Sequence, residues 1–280
     1  MANITDTGFI LRKIPYSESS LILKAYTREH GVVSFMAKGA KRQNSRLHGL
    51  LEPVVHLQFL FPAQSRSEMR ILSDVALLRD HPGVREDIVK QALAQACGEV
   101  LLKYMPDEAR APDFHDELLI VMGRLEAAPA LRRALEVIFA GYLLTFCRLS
   151  GFQPQFRFCI RCEARVFGPG AATALSTGQT IAFVIDQGGP VCPRCERDTD
   201  GSGGVVRLRD RIIRWLDAVQ AQGVLPAAGG DEGEGLPEPL PDISWREAEQ
   251  AEECLLLFLG RHAGGQKTVK SIGVWRALME

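Results

Sequence analysis

The chain has 280 residues, of which 46% are hydrophobic and 24% are charged, and its formal net charge is −1. This composition is that of an ordinary globular protein and indicates neither extensive disorder nor a membrane-embedded chain. Because single hydrophobic cores stop growing at about 250 to 300 residues, the length favours more than one domain.

The apolar runs and the first residues predict where the protein is found. The longest apolar run, "VIFAGYLLTFC" at 137–147, is well short of the about 20 residues needed to cross a bilayer, and it predicts a buried helix. The N-terminus shows no basic region followed by an apolar stretch and a cleavage site. We therefore expect a cytoplasmic protein with reduced thiols and no membrane attachment.

Positive charge is concentrated near the N-terminus. Residues 1–80 contain 11 Lys and Arg against 7 Asp and Glu, whereas residues 81–280 contain 22 against 27. The stretch 35–49 carries no acidic residue but four basic ones, Lys38, Lys41, Arg42 and Arg46. Taken alone, such a stretch is either a solubilising surface loop or a surface that binds phosphates.

The first 80 residues predict a small β-barrel. Short segments of alternating apolar residues are separated by turn signals such as "REHG" and "PAQSRS". Five strands of this kind favour a barrel of the oligonucleotide-binding (OB) type, in which closure hides the strand edges. The predicted strands are "GFILRKI", "SLILKAYT", "VVSFMAKG", "VVHLQFLF" and "MRILSDVALL".

Beyond residue 80 the apolar residues recur three and four positions apart, which is typical of amphipathic helices. Asp113 is a predicted N-cap, and Pro129 suits a first helical turn. The predicted helices cover 84–105, 113–128, 129–151, 207–222 and 244–263. The C-terminal segment 264–278 is basic and amphipathic, so it either packs against the protein or adds to a binding surface.

The predicted fold class is therefore α+β and multidomain. A five-stranded OB-fold barrel occupies residues 1–80, and an α-helical domain occupies residues 81–280. The helical domain contains a cysteine-bearing module at about 152–206 and a flexible acidic loop, rich in Gly and Pro, at about 226–241.

Two CxxC pairs point to a metal site. "CIRC" supplies Cys159 and Cys162, and "CPRC" supplies Cys192 and Cys195. Two such turns can surround one zinc ion with four thiolates, which leaves no open position for water and makes the ion structural. The alternative is two unrelated pairs, one of them a redox dithiol. The other cysteines, Cys97, Cys147 and Cys254, lie in helical patterns and are expected to pack in cores.

The sequence gives no positive indication of catalysis. It contains no GxSxG nucleophile elbow, GxxxxGK[ST] phosphate loop or HExxH pair. The neighbouring carboxylates Asp116 and Glu117 are expected to lie on a solvated helix face. We therefore predict that the protein is not an enzyme, with a metal-dependent nuclease or a redox enzyme as the catalytic alternatives.

Two segments resemble the RecO family of bacterial recombination mediators. The first is the opening "TGFILRKIPYSESSLILKAYTREHGVVSFMAKGAKR", and the second is "YLLTFCRLSGFQPQFRFCIRC" before the cysteine module. The order of barrel, helical domain and inserted cysteine pairs is also that of the family. The acidic loop at 226–241 has no counterpart that we can match, and its charge would repel nucleic acid.

The resemblance implies a non-enzymatic DNA repair protein of the RecF pathway, associated with the nucleoid. Such a protein binds single- and double-stranded DNA and anneals complementary strands. With RecR it helps load RecA onto DNA coated by single-strand-binding protein, whose acidic C-terminal tail is a further partner. The alternative is an adaptor that binds proteins, braced by zinc, whose barrel does not touch DNA.

The resemblance also assigns residues. Lys38, Lys41 and Arg42 match the basic loop that the family uses for DNA, and the four CxxC cysteines match its zinc ligands. Charge and probable strand position alone add weaker DNA-binding candidates: Lys13, Lys24, Arg46, Arg66 and Arg70. Six barrel aromatics are candidates for base stacking, although we expect four of them to be core residues: Phe9, Tyr16, Tyr26, Phe35, Phe59 and Phe61.

Overall fold

The computed structural model describes residues 3–47, 49–63, 69–105, 109–168, 171, 178–197, 204–222, 240–265 and 268–279. The chain divides into two compact units, one formed by Met1–Ala130 with Thr268–Glu280 and the other by Leu131–Lys267. The α+β fold class is confirmed: the first unit contains an OB-like sheet, and helices dominate the chain after it.

The strands of the first unit form one sheet in the order β5-β3-β2-β1-β4-β6. β3 and β5 pair in parallel and the other neighbours are antiparallel. The strands are β1 Asn3–Pro15, β2 Leu21–Thr27, β3 Gly31–Ala37, β4 His56–Pro62, β5 Met69–Ile71 and β6 Asp74–Arg79.

The sheet has six strands rather than the five predicted, because the fifth predicted strand is broken in two. Leu72 and Ser73 separate β5 from β6, and their backbone N–H groups donate to Met36 and Leu60 on different strands. β5 and β6 therefore end the sheet on opposite sides, and the hydrogen-bond ladder between them is not closed. The two residues between them join these edges covalently, so the sheet is curled as in an OB fold.

Alternating residues of the strands fill the inside of the curled sheet. Leu23, Ala25, Val33, Phe35 and Phe59 are fully buried there, and the Phe35 and Phe59 rings stack with centroids 5.3 Å apart. Alternation places the intervening residues on the outer face. The helices that follow can pack against that outer face only where its side chains match theirs in size and polarity.

The helices of the first unit are α1 Pro82–Arg85, α2 Ile88–Tyr104, α3 Pro112–Ala127 and α8 Lys270–Leu278. Asp87 caps α2 by accepting from the backbone N–H groups of Val89 and Lys90. α3 begins with Pro112 in its first turn, and Asp113 lies inside that turn, so the predicted capping role of Asp113 is wrong.

α2 and α3 cover one end of the outer face. Phe9 and Tyr26 stand opposite each other on β1 and β2, point outward and are buried. The Tyr26 hydroxyl donates to the carbonyl oxygen of Ala111 (2.9 Å), and the Phe9 ring lies 4.9 Å from that of His56 and 5.9 Å from that of His115. Burial, with the charges of neighbouring groups, lowers the pKa of His56 to about 4, so this ring is neutral and packs as an apolar group.

The C-terminal helix α8 packs against α2. The Glu99 carboxylate of α2 accepts from the backbone N–H of Ser271 (2.8 Å) and pairs with Lys103 (2.8 Å). Burial raises the pKa of Glu99, but hydrogen bonds from Lys103 and the first residues of α8 outweigh it and lower the pKa to about 2. A carboxylate at a helix N-terminus is favoured by the orientation of the free N–H groups. Of the two outcomes expected for this segment, packing is the one observed.

The second unit contains α4 Arg132–Leu149, β7 Thr180–Val184, β8 Gly189–Val191, α5 Pro193–Glu196, β9 Val205–Arg209, α6 Asp210–Ala221 and α7 Trp245–His262. α4 packs against α6 and α7, and residues 139–147 of α4 are buried, as the apolar run predicted. Pro129 precedes α4 rather than opening it. The three strands form a sheet in the order β8-β7-β9.

The packing units and the predicted domains are drawn differently. The strands end at Arg79, whereas the first unit continues through α3 to residue 130 and includes α8. The assignment of residues 1–80 and 81–280 as domains stays a prediction. The predicted acidic loop at 226–241 lies almost entirely outside the described residues.

Replacement of Glu99 tests how α8 is held. Because the pKa of this carboxyl is lowered in the folded state, its stabilisation is present above about pH 4.5 and is lost as the pH falls towards 2. We expect Glu99→Gln to lower the melting temperature at neutral pH and to flatten its dependence on pH over that interval. Glu18→Gln, an exposed acid in the β1–β2 turn, is the matched control, and an equal effect of both substitutions would contradict the assignment.

Candidate nucleic-acid interface and metal centre

The basic stretch forms part of the connection from β3 to β4, and its apolar residues anchor it. Ala40, Leu47 and Leu51 are buried in the interior of the curled sheet. The backbone N–H of Lys41 donates to Ser19 (3.0 Å), and its ammonium group donates to the carbonyl oxygen of Ser17 (2.7 Å). The connection is thereby fixed to the β1–β2 turn, so its charged side chains are presented from an ordered backbone.

The four cations of the stretch are all exposed: Lys38, Lys41, Arg42 and Arg46. A concave surface of about 640 Å³ is lined by Lys38 and Arg42 together with Gly39, Gln43, Asn44 and Ser45. Gly39 has a φ of +68°, and the backbone N–H of Arg42 donates to its carbonyl oxygen (3.1 Å), which makes a tight turn that brings the two cations to one surface. Such a surface, with amide and hydroxyl groups between cations, suits a phosphate chain.

The other DNA-binding candidates differ from these cations in burial and in local partners. Lys24 is half-buried on the outer face of β2. Lys13 pairs with Glu52 (2.5 Å), and the Arg70 guanidinium lies 5.3 Å from the ring centroid of the buried Phe61. Arg66 lies outside the described residues. The structure therefore groups Lys38 with Arg42 and leaves Lys13 and Arg70 with local partners.

Sequence reasoning missed Arg12. The register between β1 and β2 shifts between Ile10 and Arg12, a β-bulge that leaves Leu11 without a partner across the strand. As a result Arg12, not Lys13, stands opposite Lys24 on the outer face. No pattern in the sequence marks this bulge, so alternation counted from the strand start assigns the wrong cation to the face.

Five of the six barrel aromatics are buried, one more than expected, and Tyr16 is the exception. Its side chain is 63% exposed in the β1–β2 turn.

The expectation of a solvated carboxylate pair on α3 also fails in part. Asp116 pairs with Arg28 (3.0 Å), and Glu117 is buried because it faces the helix-packing side of α3.

The four predicted cysteine ligands converge. Their sulfur atoms all lie within 4.8 Å of one another, and those of Cys162 and Cys192 are 3.8 Å apart. A tetrahedral ion with metal–sulfur bonds of about 2.3 Å separates its sulfurs by about 3.8 Å. The arrangement therefore fits one tetrahedral metal ion, and it argues against two unrelated pairs.

The local fold places the thiols. After Cys159 the chain turns through Glu163, whose φ is +59° and whose N–H donates to the carbonyl oxygen of Cys159 (2.9 Å). The second pair spans the start of α5, where the backbone N–H of Cys195 donates to Cys192 (3.0 Å). The backbone N–H of Cys192 also points at the sulfur of Cys159 (3.4 Å), which links the two turns.

The four thiols influence one another's protonation. Burial raises the pKa of Cys159, but backbone N–H groups from Cys192 and the Cys159 turn outweigh it and lower the pKa to about 7. Shared hydrogen bonds with Cys162 and Cys192 instead raise the pKa of Cys195 to about 12. Four thiolates at this spacing repel one another unless a metal ion neutralises them.

The remaining cysteines are core residues, as expected. Cys97, Cys147 and Cys254 are buried in α2, α4 and α7. Burial raises the pKa of Cys147 and of Cys254 to about 12, which keeps both thiols protonated.

Among the described helices, none has the length and apolar character required to cross a bilayer.

Comparison with known proteins agrees with this architecture. Residues 1–80 match the family described as "Recombination protein O N terminal", and residues 85–220 match "Recombination protein O C terminal". The chain is 30% identical over 274 residues to DNA repair protein RecO of Anaeromyxobacter dehalogenans (strain 2CP-C), covering 98% of each chain. It is 26% identical to that of Syntrophus aciditrophicus (strain SB), covering 95% of this chain and 93% of the relative.

An OB-like sheet followed by helices and a cluster of four cysteines that could hold a metal ion defines a class of modular α+β proteins. Together with the matches over both parts of the chain, this architecture gives the identification. The chain belongs to the RecO family of DNA repair proteins.

Replacement of one thiol tests the metal centre. We expect the wild-type protein to carry one tightly bound metal ion per chain and Cys162→Ser to carry less than one, because three thiolates hold the ion less well than four. Metal analysis by mass spectrometry measures the ratio. Cys147→Ser, outside the cluster, should keep the full metal content, and equal metal loss in the two variants would contradict the assignment.

Proposed function

We propose that the protein is a non-enzymatic mediator of DNA repair in the RecF pathway, which binds single- and double-stranded DNA and anneals complementary strands. The observation that carries the proposal is the anchored, exposed group Lys38, Lys41, Arg42 and Arg46 beside the OB-like sheet. OB folds bind oligonucleotides on the face formed by strands 2 and 3 and on loops that flank it. Family membership supports the same function.

The mechanism proposed is electrostatic. Two DNA strands repel each other through their phosphates, and cations on the barrel neutralise part of that charge and release counterions. Among the described residues, Lys38, Lys41, Arg42 and Arg46 form no ion pair with an acidic side chain, so their charges are available to phosphates. Lys13, by contrast, is already neutralised by Glu52.

The proposed partners are RecR, the C-terminal tail of single-strand-binding protein and, indirectly, RecA. They rest on family membership rather than on an identified surface. Loading RecA requires displacement of single-strand-binding protein, and a protein that holds the freed strand through its phosphates is suited to that step. We further propose action in the cytoplasm, at the nucleoid.

The metal proposed at the cysteine centre is zinc in a structural role. Thiolate ligands in tetrahedral geometry favour Zn²⁺, and four protein ligands leave no position for a reacting water. Cys159 and Cys192 lie within the buried cluster of their module, together with Val166, Ala182, Val184 and Val191. The ion would therefore join both turns to that cluster, and its binding free energy would contribute to folding.

Annealing by a loop variant tests the function. We expect Lys38→Ala, Lys41→Ala and Arg42→Ala, combined, to slow annealing of complementary oligonucleotides coated with single-strand-binding protein. Its plot of log affinity for single strands against log salt should be shallower by about 2, since each lost phosphate contact removes about 0.7 from the slope. Fluorescence titrations across a salt series measure both quantities.

The matched control removes three exposed cations of the same unit that are ion-paired. Arg79, Arg85 and Arg110 pair with Glu126, Asp80 and Glu29, respectively, so their replacement by Ala should leave the salt slope nearly unchanged. Full annealing by the loop variant would contradict the mechanism. Absence of any salt-dependent DNA binding by the wild type would favour the zinc-braced protein adaptor instead.

A further inference from the structure

Among the described residues, the helices α2 and α3 leave one end of the sheet's outer face uncovered, and that end carries a row of four aliphatic residues. Ile14 stands opposite Ile22, Ile22 opposite Met36, and Met36 beside Ile71. These four residues, here called the aliphatic row, cross four adjacent strands and extend about 14 Å at the usual strand spacing. Ile71 is 48% exposed, and the other three are half-buried.

Cations lie along the aliphatic row. Arg12 and Lys24 form the next cross-strand pair on the same face, two residues along β1 and β2. Lys38 follows Met36 by two positions and is exposed, and Tyr16 follows Ile14 by two positions at the β1–β2 turn. The strand segments that form this end of the face, 12–16, 21–24, 34–38 and 69–71, contain no acidic residue.

We propose that the aliphatic row binds the unstacked bases of single-stranded DNA while the flanking cations hold the phosphates. The proposal rests on the proposed function and specifies which part of the DNA this face contacts. Exposed bases are flat and apolar on their faces, and each contact between a base and an apolar side chain removes both surfaces from water. A duplex hides its bases in the stack, so the row should favour single strands, whereas the basic stretch 35–49 contacts phosphates of either form.

The chemistry around the row argues for nucleic acid rather than protein as the occupant. An apolar strip bordered by Arg12, Lys24 and Lys38 matches a ligand that is apolar along one side and anionic along the other. Single-stranded DNA has this character along its whole length. The row also lacks large aromatic platforms apart from Tyr16 at its edge, so base contacts should be weak individually and easily exchanged, as annealing requires.

The test uses the full-length chain and three fluorescent probes: a single-stranded oligonucleotide, its duplex, and an abasic strand with the same phosphates and no bases. We expect Ile22→Thr, Met36→Thr and Ile71→Thr, combined, to weaken single-strand binding about tenfold and duplex binding less than twofold. The wild type should bind the abasic strand about as weakly as this variant binds the normal strand. Threonine is chosen because it retains strand propensity.

The matched control is Leu77→Thr with Leu78→Thr, two exposed leucines of β6 outside the row, which should leave every affinity unchanged. Equal loss for single strands and duplex, or no loss at all, would overturn the proposal, and the second result would point to a protein occupant. Lack of DNA binding by the wild type would instead refute the proposed function itself.

A second variant applies if the triple substitution impairs folding. Ile71→Trp adds a larger stacking surface at an exposed position and should tighten single-strand binding. Fluorescence of the added indole, taken as the difference from wild type, should be quenched by the single strand and not by the duplex. Unchanged affinity and fluorescence would overturn the proposal.

Discussion

Strand alternation in β2 directs Leu21, Leu23 and Ala25 into the interior of the curled sheet and Ile22, Lys24 and Tyr26 to the outer face. This alternation determines which residues of the first unit stand on the outer face, where helices can cover them. Tyr26 and its neighbour Phe9 are covered by α2 and α3, so that end of the face is structural. The end with Ile22 and Lys24 lies beyond these contacts in the described part of the chain, and the anchored basic stretch lies beside it. The helices thus leave uncovered the part of the face that we propose as the binding surface.

The second unit is organised around a different constraint. Its cysteine module has a small apolar cluster, in which Cys159 and Cys192 are themselves members. A cluster of this size provides little hydrophobic stabilisation, and small modules commonly add a metal ion to compensate. The two turns are already linked through the N–H of Cys192 and the sulfur of Cys159, so a bound ion would complete an arrangement that the backbone has prepared.

The cations of the chain differ in what they can do, and the difference is set by their neighbours. Arg28, Lys13 and Arg110 form ion pairs within the first unit, which orient loops and strands but leave little charge for a ligand. Lys38 and Arg42 instead line a concave surface with amide and hydroxyl groups. This division explains how a chain with a net charge of −1 can present a basic surface.

The alternating strands, the amphipathic helices and the two CxxC pairs could be predicted from the sequence alone, because each depends on periodicity or spacing within one segment. It also indicated the family through two local motifs. The cation that stands opposite Lys24 could be identified only from the strand pairing, because a bulge at Leu11 reverses the alternation before Arg12. Contacts between residues distant in sequence likewise produce the burial of Glu117, the split of the fifth strand at Leu72 and Ser73, and the aliphatic row. No local pattern in the sequence encodes these contacts.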